Sequence, residues 1–205
     1  MRASSGEVDR LAQLAEDLLL IASSDRGKLP LRLETLETAE LLDSIANRFE
    51  WRAQEAGRRV RVVTPGAFRV RGDRLRLEQA LGNLLDNALR YGKGEVRLSA
   101  AQTDGVVELH VTDAGPGFTP EFLPRAFERF ARADASRTTN GTGLGLAIVH
   151  AIAKAHGGSA HAANLAGGGA DVWIAIPSDG LVRQSSPRDF DSRFAVCEIE
   201  GKRRS

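Results

Sequence analysis

The chain has 205 residues, 42% hydrophobic and 27% charged, which suits one soluble domain with short flanking pieces. A formal net charge of +1 gives no basis for a nucleic-acid or acidic-membrane partner, and the single cysteine, Cys197, excludes an internal disulfide or a cysteine zinc site and suits a reducing compartment. No apolar run approaches the roughly 20 residues of a membrane-spanning helix, and Met1–Gly6 lacks a signal-peptide core, so the sequence as written reads as cytoplasmic.

From about Glu7 to Ser23 the pattern is helical, with Leu11, Leu14, Leu18 and Ile21 forming an a/d seam. A lone helix of that length is marginal in water, so its apolar stripe must dock on something. Ser24 to Pro30 reads as a linker. Thr38 to about Gly57 is a second amphipathic helix, with Leu41, Leu42, Ile45 and Phe49 on one face. Short strands are expected near Val60–Val63 and Phe68–Val70, with Pro65-Gly66 as the turn between them. The short basic pieces Arg58-Arg59-Val60-Arg61 and Lys202-Arg203-Arg204 read as solvated surface.

Asp73 is placed to cap a long helix running to about Tyr91. Glu95–Ala100 and Val106–Thr112 alternate as strands, and Gln102-Thr103-Asp104-Gly105 joins them as a hairpin. Residues 114–140 are rich in Gly, Pro, Arg and Phe without sustained periodicity, a length of loop that points to function. Gly145 to His156 reads as a helix closed by Gly157-Gly158, and Asp171–Ile176 as a last strand. The pattern is an α+β layer: an antiparallel-rich sheet with helices on one face.

Three constellations carry chemistry. On the helix after Asp73, Leu77, Leu81, Leu84, Leu85 and Ala88 share one face, while Asn83, Asn87 and Arg90 line another. Asparagine is a poor mid-helix residue, but its carboxamide oxygen suits Mg²⁺, which takes its other ligands from water and phosphate. Local hydrogen bonding between the pair is the competing reading. Next, Asp113-Ala114-Gly115-Pro116-Gly117 follows a strand directly. Its carboxylate can accept from an exocyclic amine and its glycines admit a flat ligand, although the same residues also make an ordinary turn. Last, Gly141-Thr142-Gly143-Leu144-Gly145-Leu146 opens a helix, where exposed N–H groups and the helix dipole favour an anion. It is neither a P-loop nor a dinucleotide fingerprint. Between them, Phe127-Glu128-Arg129-Phe130-Ala131-Arg132 offers two rings to pin a loop and two guanidinium groups, each either phosphate-directed or solvated.

In this order, Asn-x-x-x-Asn on a helix, Asp-x-Gly-x-Gly, Phe-x-Arg-Phe and Gly-x-Gly-x-Gly-Leu resemble the ATP-binding domain of sensor histidine kinases. That fold is shared with DNA gyrase, the mismatch-repair ATPases and a heat-shock chaperone family. The similarity runs from about Leu31 to Pro177. It implies a two-layer sandwich of the Bergerat type, with a mixed, mostly antiparallel sheet against helices, and ATP and Mg²⁺ as cofactors. By the same resemblance Asn87 is the metal ligand, Asn83 and Arg90 are phosphate-side contacts, and Tyr91 packs by the nucleotide. Asp113 accepts from the adenine amine in a pocket shaped by Gly115 and Gly117. Arg129 or Arg132 could reach a phosphate, Gly141, Gly143 and Gly145 end a lid over the phosphates, and Thr142, Leu144 and Leu146 count with them as nucleotide-binding residues. Asn83, Asn87, Arg90 and Arg132 are then the catalytic set.

Hydrolysing relatives place a glutamate, as general base, where this chain has Asn83, which favours phosphoryl transfer to another molecule over water splitting. Residues 1–24 resemble only the second helix of the family's dimerisation hairpin, followed by a linker over 25–34, the catalytic domain over 35–178 and a tail over 179–205. His110, His150, His156 and His161 lack a phosphoacceptor context and read as structural, and the tail, with no family counterpart, reads as a candidate for disorder. The implied partners are a histidine-bearing hairpin, upstream in the same protein or on a separate chain, a response regulator indirectly, and a second copy through the N-terminal helix. A longer kinase could be membrane-anchored through a preceding region. The alternative is a nucleotide-binding interaction module, or a degenerate kinase, without turnover.

Overall fold

A computed structural model of the chain describes residues 3–63, 66, 68–132 and 142–179, with side chains at 8 and from 11 onward. The expectations placed on Pro65, on Gly141 and on the tail beyond Asp179 lie outside the described residues. The elements run α1 (Ala3–Asp25), β1 (Glu34–Glu37), α2 (Thr38–Glu55), β2 (Val60–Val63), β3 (Arg69–Gly72), α3 (Arg74–Tyr91), β4 (Val96–Thr103), β5 (Val106–Thr112), a 3-10 turn (Leu123–Arg125), α4 (Gly145–Ala155), β6 (Ser159–Asn164) and β7 (Ala170–Pro177).

Five strands form an open sheet in the order β2-β4-β5-β7-β6, with β2–β4 parallel and the other neighbours antiparallel. The β4–β5 hairpin closes through Asp104 and Gly105, both at positive φ (49° and 79°), the backbone a two-residue type I′ loop requires. The strand residues that point inward, Leu98, Leu109, Val111, Val172, Ile174 and Ile176, meet Leu41, Leu42 and Ile45 of α2, Leu77, Leu81, Leu84 and Leu85 of α3, and Ile148 and Ile152 of α4 in one core. The α+β two-layer sandwich is therefore as expected. On the opposite sheet face, Ser99, His110, Trp173 and His161 fall in one register row, and the two histidine rings stack on Trp173 at 5.2 and 5.1 Å.

The strand pairing around residue 60 departs from the hairpin expected there. β2 joins the main sheet beside β4, whereas β3 pairs with β1 in a separate two-stranded ribbon. Inward-facing Val96 and Leu98 offer β2 a buried neighbour, while Leu36 of β1 and Val70 of β3 are buried together in their own register pair. β1 and β6 were not expected at all. Nor is Arg58 solvated with the rest of its basic run: its guanidinium turns back onto three backbone carbonyls.

α1 extends through Ser24 and Asp25, residues read as linker. It docks on α4 by part of the expected seam, Leu14 and Ile21, joined by Leu20, while Leu11 and Leu18 of that seam face away. Leu20 and Ile21 are buried, Leu14 is half-buried, and Ser24 Oγ donates to Ala151 O at 2.7 Å, whereas Val8, Leu11, Leu18 and Leu19 remain exposed.

One buried polar knot joins α3 to α4. Asp73 Oδ1 caps α3 by accepting from Arg76 N (3.1 Å), and Oδ2 accepts from Arg32 N (2.8 Å). The Asp73 N–H donates to His156 Nε2 (3.0 Å), which leaves His156 Nδ1 to donate to Ile152 O (2.8 Å). Both ring nitrogens are committed, so only the neutral Nδ1-H tautomer satisfies the knot. Burial pushes this imidazole below its ordinary pKa. The stability it contributes is complete above the unfolded-state value and is lost as the pH falls below it. His110 acts with the opposite sign: burial favours its neutral ring, but Asp171 and Glu108 prevail and raise it. Comparing parent with His156→Ala isolates the knot. The variant, with the Asp73 N–H left without an acceptor, is expected to lose about 1–3 kcal/mol near neutrality. Urea unfolding followed across about pH 5–8 should show that difference shrinking on acidification; a constant difference would exclude the tautomer assignment.

Candidate nucleotide site

α3 buries Leu77, Ala80, Leu81, Leu84, Leu85 and Ala88, and that choice of face turns Asn83 and Asn87 outward, both half-buried. Neither carboxamide hydrogen-bonds to a described residue, so the competing reading, mutual local bonding, has no support in the structure. The first residue of α4 comes to meet them: a Cβ built on Gly145 would lie 4.0 Å from the Asn83 side chain. The start of α4 leaves N–H groups without intrahelical partners, and the dipole adds partial positive charge there. Two motifs more than 60 positions apart in sequence thus form one polar cleft. Arg90 lies a turn beyond Asn87, with its charge close to that of Asp86, and Tyr91 ends the helix, 40% exposed.

Asp113 follows β5. Its backbone N–H donates to Ala170 O (3.0 Å), and its Oδ1 accepts from Gly115 N (2.6 Å). A Cβ at Gly115 would stand 2.7 Å from that oxygen, and one at Gly92, just past α3, would collide with the carboxyl group itself. Glycine is needed at both places by close approach. Burial pushes the Asp113 carboxyl above its ordinary range, opposed by the Gly115 N–H, the Arg58 guanidinium, and the Lys93 and Ala170 backbones.

From Gly117 the chain runs out of the sheet layer. Asn164 of β6 clasps Phe118 from both sides, its Oδ1 accepting from Phe118 N (2.7 Å) and its Nδ2 donating to Phe118 O (2.8 Å). Gly117 packs directly against this carboxamide, at φ +73°. The segment closes where Phe130 N donates to Gly143 O (2.9 Å). Phe130 itself has φ +60°, and a Cβ on Gly143 (φ +72°) would lie 2.9 Å from its backbone. Leu144 is fully buried and Leu146 half-buried, anchoring the start of α4, and Thr142 Oγ1 accepts a long 3.4 Å bond from Leu144 N. Phe122, Arg125, Phe130, Ala131 and Arg132 line a recess of about 390 Å³. Arg129 is not free to reach a phosphate here, because it is ion-paired with Asp25 of α1.

The structure therefore brings Gly145, at the start of α4, to Asn83 of α3, with Asn87 a turn along the same helix, and sets Asp113 and Gly115 against Gly92, while Gly117 packs on Asn164. It also brings in residues the motifs did not single out: Gly92, whose place after the helix is a C-cap pattern, and Asn164, which nothing in its neighbourhood distinguishes.

The fold and this cleft define a nucleotide-binding domain of the two-layer ATPase class. The profile of the family described as histidine kinase-, DNA gyrase B-, and HSP90-like ATPase matches residues 72–180. The chain belongs to that family, and the matched region is its histidine-kinase-type ATP-binding catalytic domain. A probable sensor histidine kinase HK of Mycobacterium tuberculosis (strain CDC 1551 / Oshkosh) is 39% identical over 87% of this chain and 46% of its own length. A sensor histidine kinase component, HK1, of Mycobacterium tuberculosis (strain ATCC 25618 / H37Rv) is 49% identical over 50% of this chain and 61% of its own length. Among solved structures, full-length ShkA in complex with AMPPNP superposes with a TM-score of 0.72 at 33% identity, over 83% of this chain and 36% of that one. The chain thus spans less than half the length of the first of these relatives. Among the described residues no helix is long and apolar enough to cross a membrane.

Replacing Asn164 by Leu removes both bonds to Phe118. Amide exchange at Phe118 should accelerate roughly tenfold or more, the equivalent of about 1.5 kcal/mol, while exchange in α3 stays unchanged. Equal acceleration in both places would mean the clasp is not local.

Proposed function

We propose that this chain serves as the ATP-Mg²⁺-binding catalytic domain of a two-component sensor histidine kinase, presenting the γ-phosphoryl group to a histidine carried on a helical hairpin elsewhere. The observation that carries this reading is the pairing of two uncommitted carboxamides on α3 with the glycine-opened start of α4, with asparagine rather than a carboxylate at position 83. Asn87 would hold the metal, with Asn83 and Arg90 on the phosphate side. A bound Mg²⁺ would supply neutralisation of the phosphate charge at Asn87. The N–H groups at the start of α4 and the Gly141–Leu146 stretch would close over the phosphates, Asp113 would take the adenine amine, and Tyr91 would flank the base. With no proton acceptor at Asn83, water is not activated. The partner's imidazole nitrogen forms the new P–N bond as the bond to the β-phosphate bridging oxygen breaks, and ADP leaves with that electron pair.

Two histidines of this chain are held by hydrogen-bonding or charged partners, and two exposed ones lie beside aromatic rings. His156 is locked in its knot, His110 lies between Asp171 and Glu108, His161 contacts Ser159 and Trp173, and His150 sits by Phe127. This supports an acceptor supplied by a separate hairpin or by a longer form of the protein. The exposed stripe of α1 supports a hairpin partner or a second copy seated there, with the response regulator receiving the phosphoryl group afterwards.

With ATP-Mg²⁺ and a histidine-bearing hairpin, the chain should deposit acid-labile phosphate on the hairpin and none on itself. Rapid ADP release without a hairpin, or phosphate on the chain alone, contradicts the reading. Asn87→Ala should weaken Mg²⁺-dependent ATP binding by at least tenfold in a protein that still unfolds cooperatively; unaltered calorimetric affinity removes Asn87 from the metal. Because burial raises the Asp113 pKa, acidification should protonate it at a higher pH than an ordinary carboxylate. ATP affinity should then decline as the pH drops through that raised value, and Asp113→Asn should lose both this decline and the preference for ATP over GTP.

A further inference from the structure

We propose that Arg58 is a positioning residue for adenine recognition, acting through Asp113 without touching the nucleotide. The proposal rests on the reading of Asp113 as the adenine acceptor and adds a residue outside all four motifs.

Arg58 leaves α2 through a fixed exit. Gly57 N donates to Gln54 O and Arg58 N to Ala53 O, at 2.9 and 2.8 Å, so its backbone is set by the end of the helix. From there the guanidinium crosses to the corner between α3 and β4 and donates to three carbonyls: Nε to Gly94 O at 2.7 Å, one terminal nitrogen to Ala88 O at 2.6 Å and the other to Lys93 O at 2.9 Å. Each of these carbonyls belongs to the wall of the Asp113 corner. Ala88 O also accepts from Gly92 N (2.9 Å), and Gly92 is the residue packed against the Asp113 carboxyl. Lys93 O also accepts from Ala114 N (3.0 Å), the residue directly after Asp113. One planar cation therefore fixes both sides of the turn in which the carboxylate sits, and its charge opposes the burial that drives Asp113 toward its neutral form.

Three diverging carbonyls match a guanidinium fork, which offers directed donors in a plane. An ammonium supplies charge from one point and cannot reach all three. Arg58 therefore does two separable things. Its geometry places the Asp113 oxygens, and its charge keeps them ionised.

The two parts separate in substitution. In the full 205-residue chain, Arg58→Ala should lower ATP affinity by roughly tenfold, reduce the preference for ATP over GTP, and move the acid decline of ATP binding to higher pH. Binding of inorganic triphosphate should be unaffected. Arg58→Lys should restore the position of the acid decline but not the nucleotide preference. In an Asp113→Asn background, Arg58→Ala should add no further loss, because the pair acts as a unit.

A folded Arg58→Ala protein with unaltered preference and unaltered pH profile overturns the proposal. So does an equal loss of ATP and triphosphate binding, which would mark general loosening. If Arg58→Ala does not fold, Arg58→Lys decides: full retention of preference refutes the fork, and its loss supports it. Should Asp113→Asn itself keep the ATP preference, the adenine reading fails. Should Asp113→Asn lose that preference while Arg58→Ala keeps it, only the role of Arg58 fails.

Discussion

The antiparallel register of α3 against α4 is the constraint from which the site follows. The two helices are fastened at one end by Asp73 and His156 and meet again where Gly145 faces Asn83. From Asp73 to Asn83 is ten residues and from Gly145 to His156 eleven, so at a helical rise of about 1.5 Å the two paths cover about 15–17 Å. The knot at one end therefore determines what stands opposite Asn83 at the other. A slip of one turn would put Ile148 or Val149 against the carboxamides. Neither can turn outward cheaply, both being buried at a cost of about 1.5–3 kcal/mol each to expose.

Much of this was legible in the sequence, for identifiable reasons. The α3 period, its Asp73 cap and the Asp104-Gly105 turn are strong local patterns, and tertiary packing agreed with them. The Asn stripe could be seen because asparagine is out of place on a helix whose other face is all leucine and alanine. β6, Ser159-Ala-His-Ala-Ala-Asn164, has no β-branched residue, so its strand state comes from pairing with β7 rather than from propensity. β1 is only four residues long and exists because β3 lies beside it. The β2–β4 pairing is parallel and crosses two other elements, so no turn could announce it. Arg58 was misread for a related reason: a basic run on a surface has the same composition whether its arginines meet water or three carbonyls.

The Asp113 corner shows a local conflict settled by its surroundings. A carboxylate beside a helix end with a negative dipole is unfavourable, and burial adds to the penalty. The fold answers with backbone N–H groups, which carry no side-chain entropy, and with a guanidinium that neutralises the α3 carbonyl end and the carboxylate together. Gly92 and Gly115 are needed because a wall that close leaves no room for a Cβ. The corner is stiff for the same reason that it is polar.

α1 carries the remaining argument, because its two faces have different fates. Leu20, Ile21 and Ser24 dock on α4, while Val8, Leu11, Leu18 and Leu19 stay in water. At the end of the docked face Asp25 holds Arg129, one residue before the Phe130–Gly143 clasp that closes the glycine-rich loop. Lifting α1 off α4 would expose two aliphatic side chains, at about 1.5–3 kcal/mol each, and would release Arg129 in the same motion. The docking of α1 and the position of Arg129 are therefore coupled. The tie runs through one ion pair and one serine hydroxyl, contacts weak enough to exchange.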